Sequence, residues 1–582
     1  MLARADDERK PETFAICRVQ AVEARDFVRG EVVEAGRALL APRSRRRTPF
    51  TGEAARQVGM RGDQRNFLRL WCRSDEAHHP SMERVDALER PETPGAFRDP
   101  RCVLEREADR RDKRLAVAGI EVGEAGQANG PRVSTLLVRD ATLLATFDDA
   151  EREIEAGGLF ARDGVIEMVG PSAALPERAD EIVDARGMVV LPGLVCTHHH
   201  FYQTLTRNLP AGQNVGLFPW LAAHYPIWAR LTPGGIGSST AVALAELLLS
   251  GCTTAADHGY IWPNGARVDD QIAVAQEMGV RFHASRGSMS AGRSRGGLPP
   301  DDVVEDEADI LRDCERVIAE YHDPARYAMT RIVLAPCSPF SVSPELMRAS
   351  AELARRHGCC LHTHLCETSD EEAYCFDHFG KGPVEFAESL GWSGPDVWYA
   401  HAIHIAPEEI ERLGAARTGV AHCPTSNMRL GSGIAPLLDQ VRAGLRVGLG
   451  VDGSASNDGS HMLDETRHAM LLQRVVHGAD AFSARDALRL ATRGGAGVLG
   501  RDDIGQLAPG MAADLIGVRI DGLPSAGGAV HDALASLVFC RIGNVDLNVI
   551  AGRARVRNGE LVGVDLPELL SRHNRFAREL VV

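Results

Sequence analysis

Nowhere in its 582 residues does the chain carry a run of about 18 uninterrupted apolar residues, so no membrane-spanning helix is expected. Positive charge is not in excess either. With 65 Lys+Arg against 80 Asp+Glu the formal charge is -15, which argues against nucleic acids and anionic membranes as partners. Residues 1–10 mix acid and base where a secretory leader needs an apolar segment. The 13 cysteines include no C-x-x-C pair, which excludes zinc-ribbon and thioredoxin-type sites. Odd in number and often beside hydrophobic residues, they read as reduced core thiols, and the cytoplasm is the expected compartment. No G-x-x-x-x-G-K-[ST] phosphate loop, H-E-x-x-H helix or P-C-x-x-C deaminase signature is present. Two other letter matches fail on context. Residues 495–500 fit G-x-G-x-x-G but close a helical stretch, 484–492, and residues 292–296 fit G-x-S-x-G within a Gly/Arg-rich loop. Aromatics make up only 5%; beside 44% hydrophobic residues and 58 glycines, this composition points to an α/β enzyme able to bury a large core.

Residues 1–130 differ from the rest: 25 Lys+Arg and 23 Asp+Glu make 48 positions charged, 37% against 25% overall. Burial there gains little against ordering entropy, so a disordered extension is expected, with Arg43, Arg45, Arg46 and Arg47 as a solvated charge run. Short β segments separated by turns follow at 135–138, 143–146, 159–162, 165–169 and 181–183. The same texture returns at 514–518, 538–542, 547–550 and 553–556. Two such flanks, 131–187 and 501–582, predict one small β-sandwich built from both ends. Between them, over 188–500, strand candidates at 188–196, 253–257, 281–286, 331–336, 359–364, 397–401, 419–423 and 446–452 alternate with helical segments. Eight βα units predict a (β/α)8 TIM-like barrel, with a doubly wound open sheet as the alternative.

Polar residues fall where those strands end. The first runs into His198-His199-His200, and alternation puts His198 and His200 on one face and His199 on the other. The fifth ends at His362-Thr-His364; one strand repeat of about 6–7 Å separates these imidazoles, so His364 reaches an ion at the barrel mouth and His362 becomes a hydrogen-bonded layer below. Glu367 follows as an acid/base candidate, the sixth strand ends at His401, and the eighth ends at Asp452, an acid out of place on an apolar strand unless paired or metal-bound. Each alone reads as a structural polar cap; together they predict a metal site. Three imidazoles and a carboxylate suit zinc, with Fe(II) the competitor.

The H-x-H after a Pro-Gly strand, the H-x-x-E, the later His and the strand-eight Asp together resemble the amidohydrolase superfamily, and within it the cytosine/guanine-deaminase branch. Longer strings carry the same resemblance, among them residues 197–207, 334–341, 421–430 and 448–458, while residues before 133 have no counterpart. The resemblance implies a metal-dependent hydrolytic deaminase of a small nitrogen heterocycle, in the first place an oxidised purine (8-oxoguanine to urate and ammonia). Hydroxy-s-triazine N-alkylaminohydrolase and guanine or isocytosine deaminase are the alternatives, and a non-catalytic assembly protein the remote one. It further implies His198, His200, His364 and Asp452 as metal ligands, Glu367 as proton shuttle, His401 as the residue orienting the attacking hydroxide, and Asp452 as a second proton carrier. Gln203 matches a substrate-contacting Gln; Arg286 is a candidate for a ring carbonyl, and Tyr202, Trp220 and Trp228 are stacking candidates. Binuclear relatives bridge two ions with a carboxylated Lys on strand four. The lysines here are Lys10, Lys113 and Lys381, none near 331–336, so one divalent ion per chain is expected, in a homo-oligomer.

Overall fold

The computed structural model describes residues 135–582. The expected extension, 1–130, lies outside the described residues. Five strands open the described chain: β1 (Thr135–Ala145), β2 (Glu153–Arg162), β3 (Val165–Pro171), β4 (Glu181–Asp184) and β5 (Met188–Pro192). Eight parallel strands then close a barrel: β6 (Leu194–Cys196), β8 (Cys252–Asp257), β9 (Arg281–Ser288), β10 (Thr330–Pro336), β11 (Cys360–Leu365), β12 (Val397–His401), β13 (Gly419–His422) and β14 (Arg446–Leu449). Two short strands, β7 (His199–His200) and β15 (Asp452–Gly453), pair with each other at its mouth. The chain ends with β16 (Leu515–Arg519), β17 (Leu547–Ile550), β18 (Arg553–Arg557) and β19 (Glu560–Leu561).

The two flanks meet in one nine-stranded sheet, in which β5 pairs parallel to β1 and antiparallel to β16. Two sequence expectations change here. The run 188–196 is two strands, because the chain leaves the flank sheet at Gly193 and enters the barrel at Leu194. A side chain at Gly193 would lie 2.1 Å from Thr253 Oγ1, so the step between sheet and barrel requires glycine. The strand expected at 538–542 does not form: Val538 and Phe539 close a helix, Ala533–Phe539, started by Asp532, whose carboxylate accepts the Ala535 N–H, and residues 540–542 are irregular. Sheet and barrel are tied by a buried bidentate pair: Arg281 on β9 donates to Asp514 at 2.8 and 2.9 Å, and both side chains are almost fully buried. The glycines at 494 and 495 let their helix press onto barrel strands, a Cβ at Gly495 falling 2.7 Å from that of Val195. That helix runs on to Val498 and ends at Gly500, in the left-handed region at φ 63°. Among the described residues no helix is long and apolar enough to cross a membrane.

Candidate active site

The C-terminal ends of the barrel strands bring six of the residues named from sequence to one point. His198 and His200 come from the end of β6 and β7, His364 from β11, Glu367 from just beyond it, His401 from β12 and Asp452 from β15. All are buried. His200 Nε2 lies 3.1 Å from His364 Nε2, and Asp452 Oδ1 lies 3.2 Å from His198 Nε2 and 3.3 Å from His200 Nε2. His199 faces the other way and meets Ser460 Oγ at 3.0 Å.

Hydrogen bonds on the far nitrogens fix what those atoms carry. A carbonyl accepts only from N–H, so His200 Nδ1 is protonated toward His258 O (2.7 Å) and His364 Nδ1 toward Cys337 O (2.7 Å). His362 donates Nδ1–H to Trp398 O at 3.0 Å, which leaves its Nε2 to accept from His198 Nδ1 at 2.7 Å. The Nε2 atoms of His198, His200 and His364 are therefore bare lone pairs that face one another, two of them beside a carboxylate. Burial disfavours the charged form of two of these imidazoles, lowering His198 well below its ordinary range and His364 to about 3. Facing lone pairs at this spacing repel unless a cation sits between them, so the residues present fit a metal ion. His362 occupies the supporting layer expected of it.

The remaining polar groups of the site cluster around His401, Glu367 and Asp452. His401 Nδ1 meets Asn427 Oδ1 at 2.9 Å, and its Nε2 lies 3.5 Å from Glu367 Oε2 and 3.9 Å from Asp452 Oδ2. Burial first, and then the charge of Asp452, push the Glu367 carboxyl well above its ordinary range. Its backbone N–H is held by Glu371 Oε2 at 2.9 Å. Asp452 Oδ2 accepts from Ser426 at 2.6 Å and Ser456 at 3.1 Å, and Oδ1 from the Gly453 N–H at 2.7 Å. Four non-glycine residues in and beside the site sit in the left-handed region: Cys366 (φ 58°), His401 (φ 73°), Ala402 (φ 46°) and Asp452 (φ 62°). Each costs of order 1–3 kcal/mol, the kind of local strain that collects where side-chain aim matters more than stability.

Of the substrate candidates, Gln203 lines the pocket above the Nε2 atoms, with its Oε1 buried and unpartnered. Trp220 lines it too. Tyr202 and Trp228 do not line it; the Tyr202 ring packs edge-on against Trp228 and Tyr260 at 5.2 and 5.7 Å, within the core. Arg286 does not line it either. Its guanidinium is buried against Asp313 (2.6 Å), Glu305 (2.8 Å) and the Gly287 carbonyl (2.6 Å), outside the pocket. Sequence reading missed Tyr225 and Tyr260, which line the pocket, together with Asn427, Glu371 and His258. Asn427 stood within a quoted string, residues 421–430, and that was its only signal.

Residues 189–555 match the family described as the amidohydrolase family. The chain belongs to the amidohydrolase family. It is 52% identical over 429 residues to 8-oxoguanine deaminase of Pseudomonas aeruginosa, covering 73% of this chain and 95% of that protein. To hydroxydechloroatrazine ethylaminohydrolase of Pseudomonas sp. (strain ADP) it is 39% identical over 458 residues, 75% of this chain and 94% of the relative. Among solved structures, the zinc-complexed atrazine chlorohydrolase of Arthrobacter aurescens TC1 superposes with a TM-score of 0.73 at 35% identity, over 76% of this chain and all of the other. The amidohydrolase architecture is the barrel described above.

Proposed function

We propose that this amidohydrolase is a metal-dependent hydrolytic deaminase that converts 8-oxoguanine to urate and ammonia. The 52% identity across nearly the whole 8-oxoguanine deaminase carries the substrate reading. Three bare imidazole nitrogens within reach of one another, two of them beside Asp452, support the chemistry. His198, His200, His364 and Asp452 would hold one divalent ion, for which three imidazoles and a carboxylate favour zinc over Fe(II). When bound, such an ion supplies hydroxide at neutral pH by lowering the pKa of water to about 7.

The protein's own residues then move protons. His401, oriented by Asn427, presents its Nε2 lone pair to the attacking water and aims it at C2 of the purine. Glu367, kept protonated by its surroundings, gives its proton to the adjacent ring nitrogen, so the tetrahedral carbon forms without negative charge on the ring. It recovers a proton from the water. The remaining hydroxyl proton passes through Asp452 to the amino group, which leaves as ammonia as the urate carbonyl forms. Gln203 Oε1 and the Tyr225 hydroxyl, both buried without a partner, are free to bond the edge of a planar heterocycle.

A second reading, hydroxy-s-triazine N-alkylaminohydrolase, is supported by the 39% relative and by the triazine-hydrolase neighbours. Ammonia and alkylamine release across 8-oxoguanine, guanine, isocytosine and hydroxy-s-triazines separates the two. The highest kcat/KM is expected on 8-oxoguanine, and a higher value on a triazine would transfer the assignment.

A further inference from the structure

At the opposite end of the barrel, where β10 and β11 begin, a cavity of about 90 Å³ lies between His283, His322, Arg331 and Cys360, with exposed Pro324 and Gly358 at its rim. A water needs about 10–15 Å³ measured this way, so the cavity holds several. Its walls present donors without acceptors. His322 Nδ1 accepts the Ile332 backbone N–H at 3.1 Å, so its proton is on Nε2, which is buried and unpartnered. Arg331 Nε is also buried and unpartnered, and its Nη atoms reach only the carbonyls of Gly500, Pro324 and Ala325 at 3.2–3.3 Å. His283, 1% exposed, has neither ring nitrogen bonded, and either neutral tautomer adds a further N–H.

The cavity's one guanidinium has carboxylates near it but none in contact. No carboxylate ion-pairs with Arg331 among the described residues. Of the acids nearby, Asp503 gives both oxygens to Arg501, at 2.7 and 2.8 Å, and Asp323 accepts the Ala325 N–H at 2.9 Å. A half-buried guanidinium with its Nε unbonded and no carboxylate on it, beside two imidazoles whose N–H groups are unbonded, carries a cost that an anion relieves. We propose that this cavity binds one small tetrahedral oxyanion of the phosphate class, held by Arg331, His322 and His283. It lies on the face of the barrel away from the deaminase site and is independent of the reading given for that site.

Isothermal titration of the full, metal-loaded chain with inorganic phosphate tests this. One saturable site per chain is expected, displaced by sulfate but not by sodium chloride at matched ionic strength. Arg331→Met should abolish the site and leave deaminase turnover unchanged. His322→Asn removes the Nε2 donor while keeping an acceptor for Ile332, and it carries the test if Arg331→Met does not fold. Absence of saturable binding overturns the proposal. So does an isotherm that survives in both variants, because the phosphate is then bound elsewhere.

Discussion

Replacing His362 by Leu isolates the relay that sets the tautomer of His198 at the proposed metal site. His362 touches none of the proposed chemistry; it accepts His198 Nδ1–H at 2.7 Å because its own Nδ1–H is spent on Trp398 O. Leucine leaves that N–H orphaned inside a side chain with 0% exposure. An unmade bond to a buried donor costs about 1–3 kcal/mol. His198 can escape the cost only by shifting its proton to Nε2, which withdraws a lone pair from the ion. At 1.4 kcal/mol per decade, metal affinity should fall roughly 5- to 150-fold, in line with the 10–100-fold typical of such supporting partners. Competition against a chromogenic chelator reads the loss directly, with circular dichroism to show that the variant is folded. His362→Gln, whose amide oxygen can take the same N–H, should recover part of it. A folded Leu variant with native metal affinity would refute the tautomer argument, and with it the claim that the three Nε2 atoms are bare.

Glu367→Gln should retain its metal and lose at least ~10²-fold in kcat, since the amide keeps the shape but has no transferable proton; an unaffected rate would reassign the shuttle. Asp452→Asn should reduce both metal content, by elemental analysis, and turnover; a change in KM alone would contradict its double role. Arg281→Met leaves Asp514 buried without its bidentate partner, so urea unfolding should show a loss of about 3–5 kcal/mol, and a negligible change would mean that water reaches the carboxylate.

The barrel was legible in the sequence because most of its strands are short apolar runs, and several of them lead into a polar residue at or just past the strand end, which puts His198, His364, His401 and Asp452 at one mouth. What stayed hidden depends on partners distant in sequence. Arg286 looks like a substrate ligand at a strand end until Glu305 and Asp313 arrive from the following segment and occupy its donors. Residues 538–542 are apolar enough for a strand, but the cap at Asp532 sets a helical phase just before them. Gly193 reads as an ordinary turn glycine, and only the approach of Thr253 shows that two sheets part company there. Tyr225 and Tyr260 carry no motif; their hydroxyls matter because the fold leaves Tyr225 unpaired beside the pocket.

The seam at β5 also has a bearing on how the protein is made. Leu191 pairs with Ile516, a residue that leaves the ribosome only after the whole barrel has been synthesised. Until then one edge of an apolar strand stands open, next to the very segment that delivers His198 and His200. Such an edge is a template for pairing with other nascent chains. Yield of active protein should therefore respond to expression temperature and chaperone supply well before the purified, folded enzyme shows any comparable sensitivity to heat.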